Sequence, residues 1–125
     1  MSTTSYLLVA LGGAFGSVSR VMISRLMPET LLSLPIPIMS INILGCFLIG
    51  FISHILAIRF SSPLLSALLV PGFLGGFTTF SSFALEWGLL HRNNQTILAF
   101  IYLFISVAGA IFAFLIGLKL ARLIN

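Results

Sequence analysis

Charge is confined to eight positions, Arg20, Arg25, Glu29, Arg59, Glu86, Arg92, Lys119 and Arg122. They leave four uncharged stretches, 1–19, 30–58, 60–85 and 93–118. A helix crosses the hydrocarbon core of a bilayer with about 20 apolar residues. Each stretch, with its edges, supplies one such helix, and four of them use most of the 125 residues. A soluble domain has about 25% charged residues, whereas this chain has 6% and is 59% hydrophobic. A soluble fold of this size cannot hide that much apolar surface. The pattern predicts an all-α membrane protein, a single transmembrane domain over 1–125, with helices at about 6–27, 38–58, 64–90 and 96–120. It shows no second domain, low-complexity segment or convincing internal repeat.

The net charge of +4 comes from basic residues scattered singly. A nucleic-acid surface needs them clustered, so no nucleic-acid partner is expected and the cations read as anchors at helix ends. Met1–Tyr6 has no Lys or Arg, so it lacks the charged region of a signal peptide and the first helix is expected to be retained. Cys46 stands alone in an apolar run, with no disulfide framework and no metal set. Its expected role is that of a buried small hydrophobe.

Orientation follows the excess of Lys and Arg on the cytoplasmic side. Four helices place Arg59, Lys119 and Arg122 on one side and Arg20, Arg25 and Arg92 on the other, three against three. Either the chain inserts both ways and pairs antiparallel with itself, or it has too few charges for the rule to speak. Small residues four apart, Gly12 and Gly16 in one set and Gly109, Ala113 and Gly117 in another, permit close helix packing in lipid. They favour an oligomer, most simply a dimer, or serve packing within one subunit.

The segment Gly75-Gly76-Phe77-Thr78-Thr79-Phe80-Ser81-Ser82-Phe83 lies in the middle of the third helix. Paired glycines and paired threonines predict a break there. Broken helices at that depth persist where protein or a cavity satisfies the freed backbone groups. Carbonyls ending the first half suit a cation, and amides starting the second suit an anion; a packing kink is the alternative. Phe80 and Phe83 share a helix face. Their rings are core or lipid contacts, or they turn electropositive edges toward an anion, which conduction requires to be held only loosely. Asn42, deep in the second helix, is either interhelical glue or a donor of two hydrogen bonds to an anion. Tyr102 and Ser106 share a face of the fourth helix and offer a polar track. Glu86 is the one acid in the third helix, and an intramembrane carboxylate reads as functional unless it reaches water or an Arg. Arg20 follows Gly16 by one turn and can snorkel to the interface.

The chain resembles the Fluc (CrcB) fluoride channels over nearly its whole length. The resemblance runs through Gly12 to Arg20, then Asn42 to Gly50, then Gly75 to Phe83 followed by Glu86. It implies an antiparallel, dual-topology homodimer in the cytoplasmic membrane, surrounded by lipid. The dimer has two pores that export fluoride passively and a structural sodium ion (Na+) on its axis. It assigns Phe80 and Phe83 as pore phenylalanines and Asn42 as an amide donor to fluoride. Ser81, Tyr102 and Ser106 fall along the pore, with Glu86 near one mouth and Arg20 vestibular or structural. Gly75 and Thr78 would give backbone carbonyls to sodium. Two positions depart from the commoner pattern: Ile38 and Ala110 stand where a threonine and a serine are usual. Some members of the family work as pairs of different subunits, so a heterodimeric channel subunit is one alternative reading. The other is a small multidrug-type exporter, which needs a carboxylate that the first helix here lacks. Neither reading makes the chain an enzyme.

Overall fold

The computed structural model describes residues 1–124. Among them are four helical spans long and apolar enough to cross a bilayer: Thr3–Leu26, Ile36–Phe60, Pro63–Arg92 and Thr96–Leu123. The first span is one helix, α1 (Thr3–Leu26), capped by the Ser2 hydroxyl, which accepts from the Ser5 amide at 3.2 Å. It ends where Met27 turns extended ahead of Pro28, as the residue before a proline tends to do.

The proline-rich connection holds a small hairpin. Strands β1 (Thr30–Leu31) and β2 (Leu34–Pro35) pair antiparallel, Thr30 with Pro35 and Leu31 with Leu34. Leu32 and Ser33 make the reversal with φ of 51° and 66°. Both are left-handed, as a two-residue hairpin turn requires, but neither belongs to the Asn-Gly type that announces such a turn.

Helix α2 (Ile36–Ile55) starts with Pro37 in its first turn, where the missing amide costs nothing. It widens into a π-helical turn over Leu56–Phe60. There the Arg59 Nη2 donates to the Ile124 carbonyl at 2.9 Å, bringing the end of the second span beside the end of the fourth.

The third span is assembled in pieces: α3 (Pro63–Ala67), a π-helical stretch Leu68–Leu74, α4 (Gly75–Phe77), a break, and α5 (Phe80–Arg92). Pro71 lies inside the π-helical stretch, where its ring and missing N–H forbid a regular turn. The expected break is there, but Thr78 and Thr79 make it, not the glycines. Gly75 keeps a right-handed helical conformation, φ −64° and ψ −35°. Gly76 serves close approach instead. A Cβ at Gly76 would strike the Gly13 carbonyl, and one at Gly16 the Phe73 carbonyl. The first and third spans therefore meet backbone to backbone.

The fourth span is the single helix α6 (Thr96–Leu123), which packs most extensively on α2. Gly117 closes on the Phe47 carbonyl, Gly50 on the Phe114 carbonyl and Gly109 on the Ile43 side chain. Both small-residue sets thus face partners within one subunit, and neither speaks for a second copy. A buried cluster of Ile38, Phe83, Leu90, Ala99 and Tyr102, with Leu34, Met39 and Trp87 packed against it, ties α2, α5 and α6 together.

Candidate functional site

At the break Thr78 (φ −84°, ψ 155°) and Thr79 (φ −153°, ψ 120°) are extended, so the helical hydrogen bonds across them must be replaced. The Thr78 N–H returns to the Leu74 carbonyl at 3.0 Å, and the Thr78 hydroxyl donates to the same oxygen at 2.9 Å. The Thr79 N–H, whose helical acceptor would be Gly75, donates to Asn42 Oδ1 at 2.8 Å. Asn42 Nδ2 in turn donates to the Thr79 carbonyl at 2.9 Å. The Ser82 N–H, whose helical acceptor would be Thr78, donates to Thr79 Oγ1 at 3.2 Å. The Gly75 and Thr78 carbonyls thus lose their helical donors. The Gly76 carbonyl accepts from Arg20 Nε at 3.3 Å.

A cavity of about 430 Å³ opens at this break. Asn42, Thr78, Thr79 and Ser106 supply its polar wall, Phe80 and Phe83 its aromatic wall, and Gly75, Cys46 and Ala110 also line it. No charged side chain reaches it among these lining residues. Ser106 is 5% exposed, and its hydroxyl, buried, has no partner among the described residues. Buried polar atoms nearly always have one, and this hydroxyl lies in the cavity wall beside Phe83. The start of α5, the positive end of its dipole, also opens here.

The two phenylalanines differ in setting. Phe83 is buried, and its ring stacks on Tyr102 at 5.3 Å with 24° between planes. Phe80 lies 5.3 Å from Phe83 but is 76% exposed, on the open side of the cavity. Tyr102 is fully buried and its hydroxyl donates to Glu86 Oε2. Glu86 pairs with no cationic side chain among the described residues. It lines a second cavity of about 330 Å³ with Thr30, Ser33, Asn93 and Gln95, near the hairpin. One run of contacts therefore joins the two cavities: Phe83, Tyr102, Glu86. Changing Tyr102 to Phe strips the half-buried Glu86 carboxylate of its donor and is expected to cost about 1–3 kcal/mol of stability, read by thermal unfolding in detergent. Glu86→Gln keeps an acceptor for the hydroxyl and is expected to cost less.

Six sequence-predicted residues, Asn42, Phe80, Phe83, Ser106, Gly75 and Thr78, meet around the first cavity. Tyr102 stands behind Phe83, and Glu86 lies at the second cavity. Ser81 is exposed; its hydroxyl lies 3.1 Å from the Thr79 hydroxyl, at the cap of α5 and not in the cavity wall. Arg20 approaches the break from α1. For Asn42, the glue reading describes both hydrogen bonds of its amide, which leave one N–H of Nδ2 over. Cys46 corrects an expectation: it is only partly buried and lines the cavity, since α2 turns that face toward the break. Thr79 lines the cavity and caps α5, and sequence reasoning did not single it out. Its signal was present, a threonine three residues before a serine at a helix start, which is the spacing of an N-cap.

The family described as "CrcB-like protein, Camphor Resistance (CrcB)" matches residues 7–118. A protein named "Fluoride-specific ion channel FluC" from Chlorobium chlorochromatii is 42% identical over 117 residues, covering 93% of this chain and 91% of its own length. A protein of the same name from Chlorobaculum tepidum is 40% identical over 124 residues, 98% of each chain. One from Rhizobium etli is 40% identical over 120 residues, 92% of this chain and 94% of its own.

Proposed function

The chain belongs to the CrcB family, and from that premise we propose that it is a passive, fluoride-selective channel of the cytoplasmic membrane. The observation that carries this reading is the cavity at the break. Its wall offers hydrogen-bond donors, including the partnerless Ser106 hydroxyl, and aromatic rings, and it offers no charge. Such a wall favours an anion without gripping it, which conduction requires. A small, strongly hydrated anion exchanges water for the spare Asn42 N–H, the Ser106 hydroxyl and the ring edges of Phe80 and Phe83. The Phe83–Tyr102–Glu86 run leads on to the second cavity.

No energy source is required. Fluoride enters as neutral HF, dissociates inside, and is driven out by a potential negative inside, at about 2.3 kcal/mol per charge for 100 mV. The Gly75 and Thr78 carbonyls fit a structural sodium ion: they are hard oxygen donors at the negative end of a half-helix, and their helical partners are gone. They would hold it, and the ion would supply the positive charge that neutralises that end. Carbonyl ligation needs no cluster of His, Cys, Asp or Glu, and none exists among the described residues.

The assembly proposed is an antiparallel homodimer. Phe80 belongs to the cavity wall yet is 76% exposed on the single subunit, and a second copy closes that open side. The even split of basic residues allows the two copies to insert in opposite senses. Of the two departures, Ile38 is buried in the core cluster, while Ala110 lines the cavity. The loss of a hydroxyl is therefore felt only at Ala110. In bacteria lacking their own fluoride exporter, this chain is expected to restore growth at fluoride levels that otherwise stop it. Failure to do so, with the protein present in the membrane, contradicts the reading.

A further inference from the structure

Two side chains decide which carbonyls of the break are free. In an unbroken helix the Thr79 N–H would close on the Gly75 carbonyl and the Ser82 N–H on the Thr78 carbonyl. Both donors are diverted, the first to Asn42 Oδ1 at 2.8 Å and the second to Thr79 Oγ1 at 3.2 Å. The Thr79 carbonyl, next in line, is taken by Asn42 Nδ2 at 2.9 Å, and the Gly76 carbonyl by Arg20 Nε at 3.3 Å. The carbonyls of 75 and 78 are left without the donors a helix would give them, while those of 76 and 79 are satisfied by side chains from other spans.

We propose that Asn42 and Thr79 are positioning residues for a cation: by capturing the two N–H groups that would reseal the helix, they keep the Gly75 and Thr78 carbonyls available to an alkali-metal ion. Asn42 belongs to both ion sites at once. Its carboxamide lines the anion cavity, and its oxygen frees a carbonyl for the cation. A change there alters cation affinity as well as fluoride flux, and the two effects are separable, because the acceptor oxygen holds the Thr79 N–H while the amino group holds the Thr79 carbonyl with one N–H and offers the other to the anion. The proposal rests on the channel reading above for the presence of a cation at these carbonyls.

The test reads cation binding apart from conduction. Purified protein in nanodiscs is melted over a series of sodium chloride concentrations, with ionic strength held constant by N-methylglucamine chloride. In the unaltered chain the melting temperature rises with sodium. Asn42→Leu removes the acceptor, lets the Thr79 N–H return to Gly75, and is expected to weaken the apparent sodium affinity by about tenfold, the worth of one such hydrogen bond to a charge-binding group. Thr79→Val removes the second acceptor and is expected to have a similar effect through Thr78. Asn42→Asp keeps an acceptor for the Thr79 N–H, gives up the N–H held by the Thr79 carbonyl and adds a negative charge near the cation, so it retains or strengthens the sodium response while fluoride flux falls. If Asn42→Leu does not fold, Thr79→Val and Asn42→Asp decide. A sodium response unchanged in Asn42→Leu or Thr79→Val, or lost in Asn42→Asp, overturns the positioning role and leaves the channel reading standing. Absence of any sodium response in the unaltered chain overturns the cation site itself, and the positioning role with it.

Discussion

Replacing Phe83 by Ile is expected to lower fluoride flux about tenfold, and replacing Phe80 as well to lower it about a further tenfold. Isoleucine keeps apolar bulk but has no electropositive ring edge. An anion that has given up water in the cavity then meets methyl groups where the ring edge stood. Taken at the worth of an edge-to-face aromatic pair, roughly 0.5–1.5 kcal/mol, each ring contact comes to about one factor of ten, which is 1.4 kcal/mol. The two sites differ in a way that makes the result interpretable. Phe80 is 76% exposed on the subunit, so its replacement leaves subunit stability nearly unchanged, and a loss of flux from protein that still elutes as a dimer reports on the anion path. Phe83 is buried against Tyr102, so its replacement also costs packing. A fluoride electrode reading efflux from proteoliposomes, with thermal unfolding on the same preparation, separates the two contributions. Wild-type flux in both variants would remove the rings from the pathway.

The second large effect is on folding. Gly16→Val is expected to destabilise the protein by about 3 kcal/mol or more. A Cβ at Gly16 would overlap the Phe73 carbonyl and crowd the Phe77 amide, and both are backbone atoms that cannot step aside. The first span would have to move off the third, and the break would lose the helix that delivers Arg20 to the Gly76 carbonyl. Gly88 is the matched control. A Cβ there meets nothing within 4 Å, so Gly88→Ala is expected to gain about 0.5–1 kcal/mol from helix propensity alone. Recovery of monodisperse protein on size exclusion, followed by thermal unfolding, measures both. Equal stability of the two variants would contradict the backbone-to-backbone packing described for the first and third spans.

The four spans were legible because charge is excluded from hydrocarbon and the eight charges punctuate the chain. The presence of a break was legible in the Gly-Gly and Thr-Thr pairs, but its seat was not. Glycine pairs weaken helices in water, yet here the pair stays helical and the bare Gly76 lets α1 approach, which only tertiary contact reveals. The threonines break the helix because Asn42, 37 residues away in the chain, captures an amide, a partnership that no local pattern states. The hairpin was hidden for the opposite reason: Leu32 and Ser33 adopt left-handed conformations that their residue types do not favour. Cys46 was read as core from its apolar neighbours, and it lines the cavity because the break draws back the third span opposite it. Asn42, Phe80, Phe83 and Ser106 were each ambiguous alone. The resemblance grouped them, and the fold places them around one cavity.

The most direct measurement of the central claim is fluoride efflux from liposomes containing this purified chain alone. Vesicles are loaded with potassium fluoride, diluted into fluoride-free medium, and made permeable to potassium with valinomycin. The account predicts rapid fluoride release, no comparable release from vesicles loaded with potassium chloride, and no requirement for ATP, a proton gradient or a second chain. Folded protein that releases no fluoride under that gradient, or that releases chloride as readily, would contradict it.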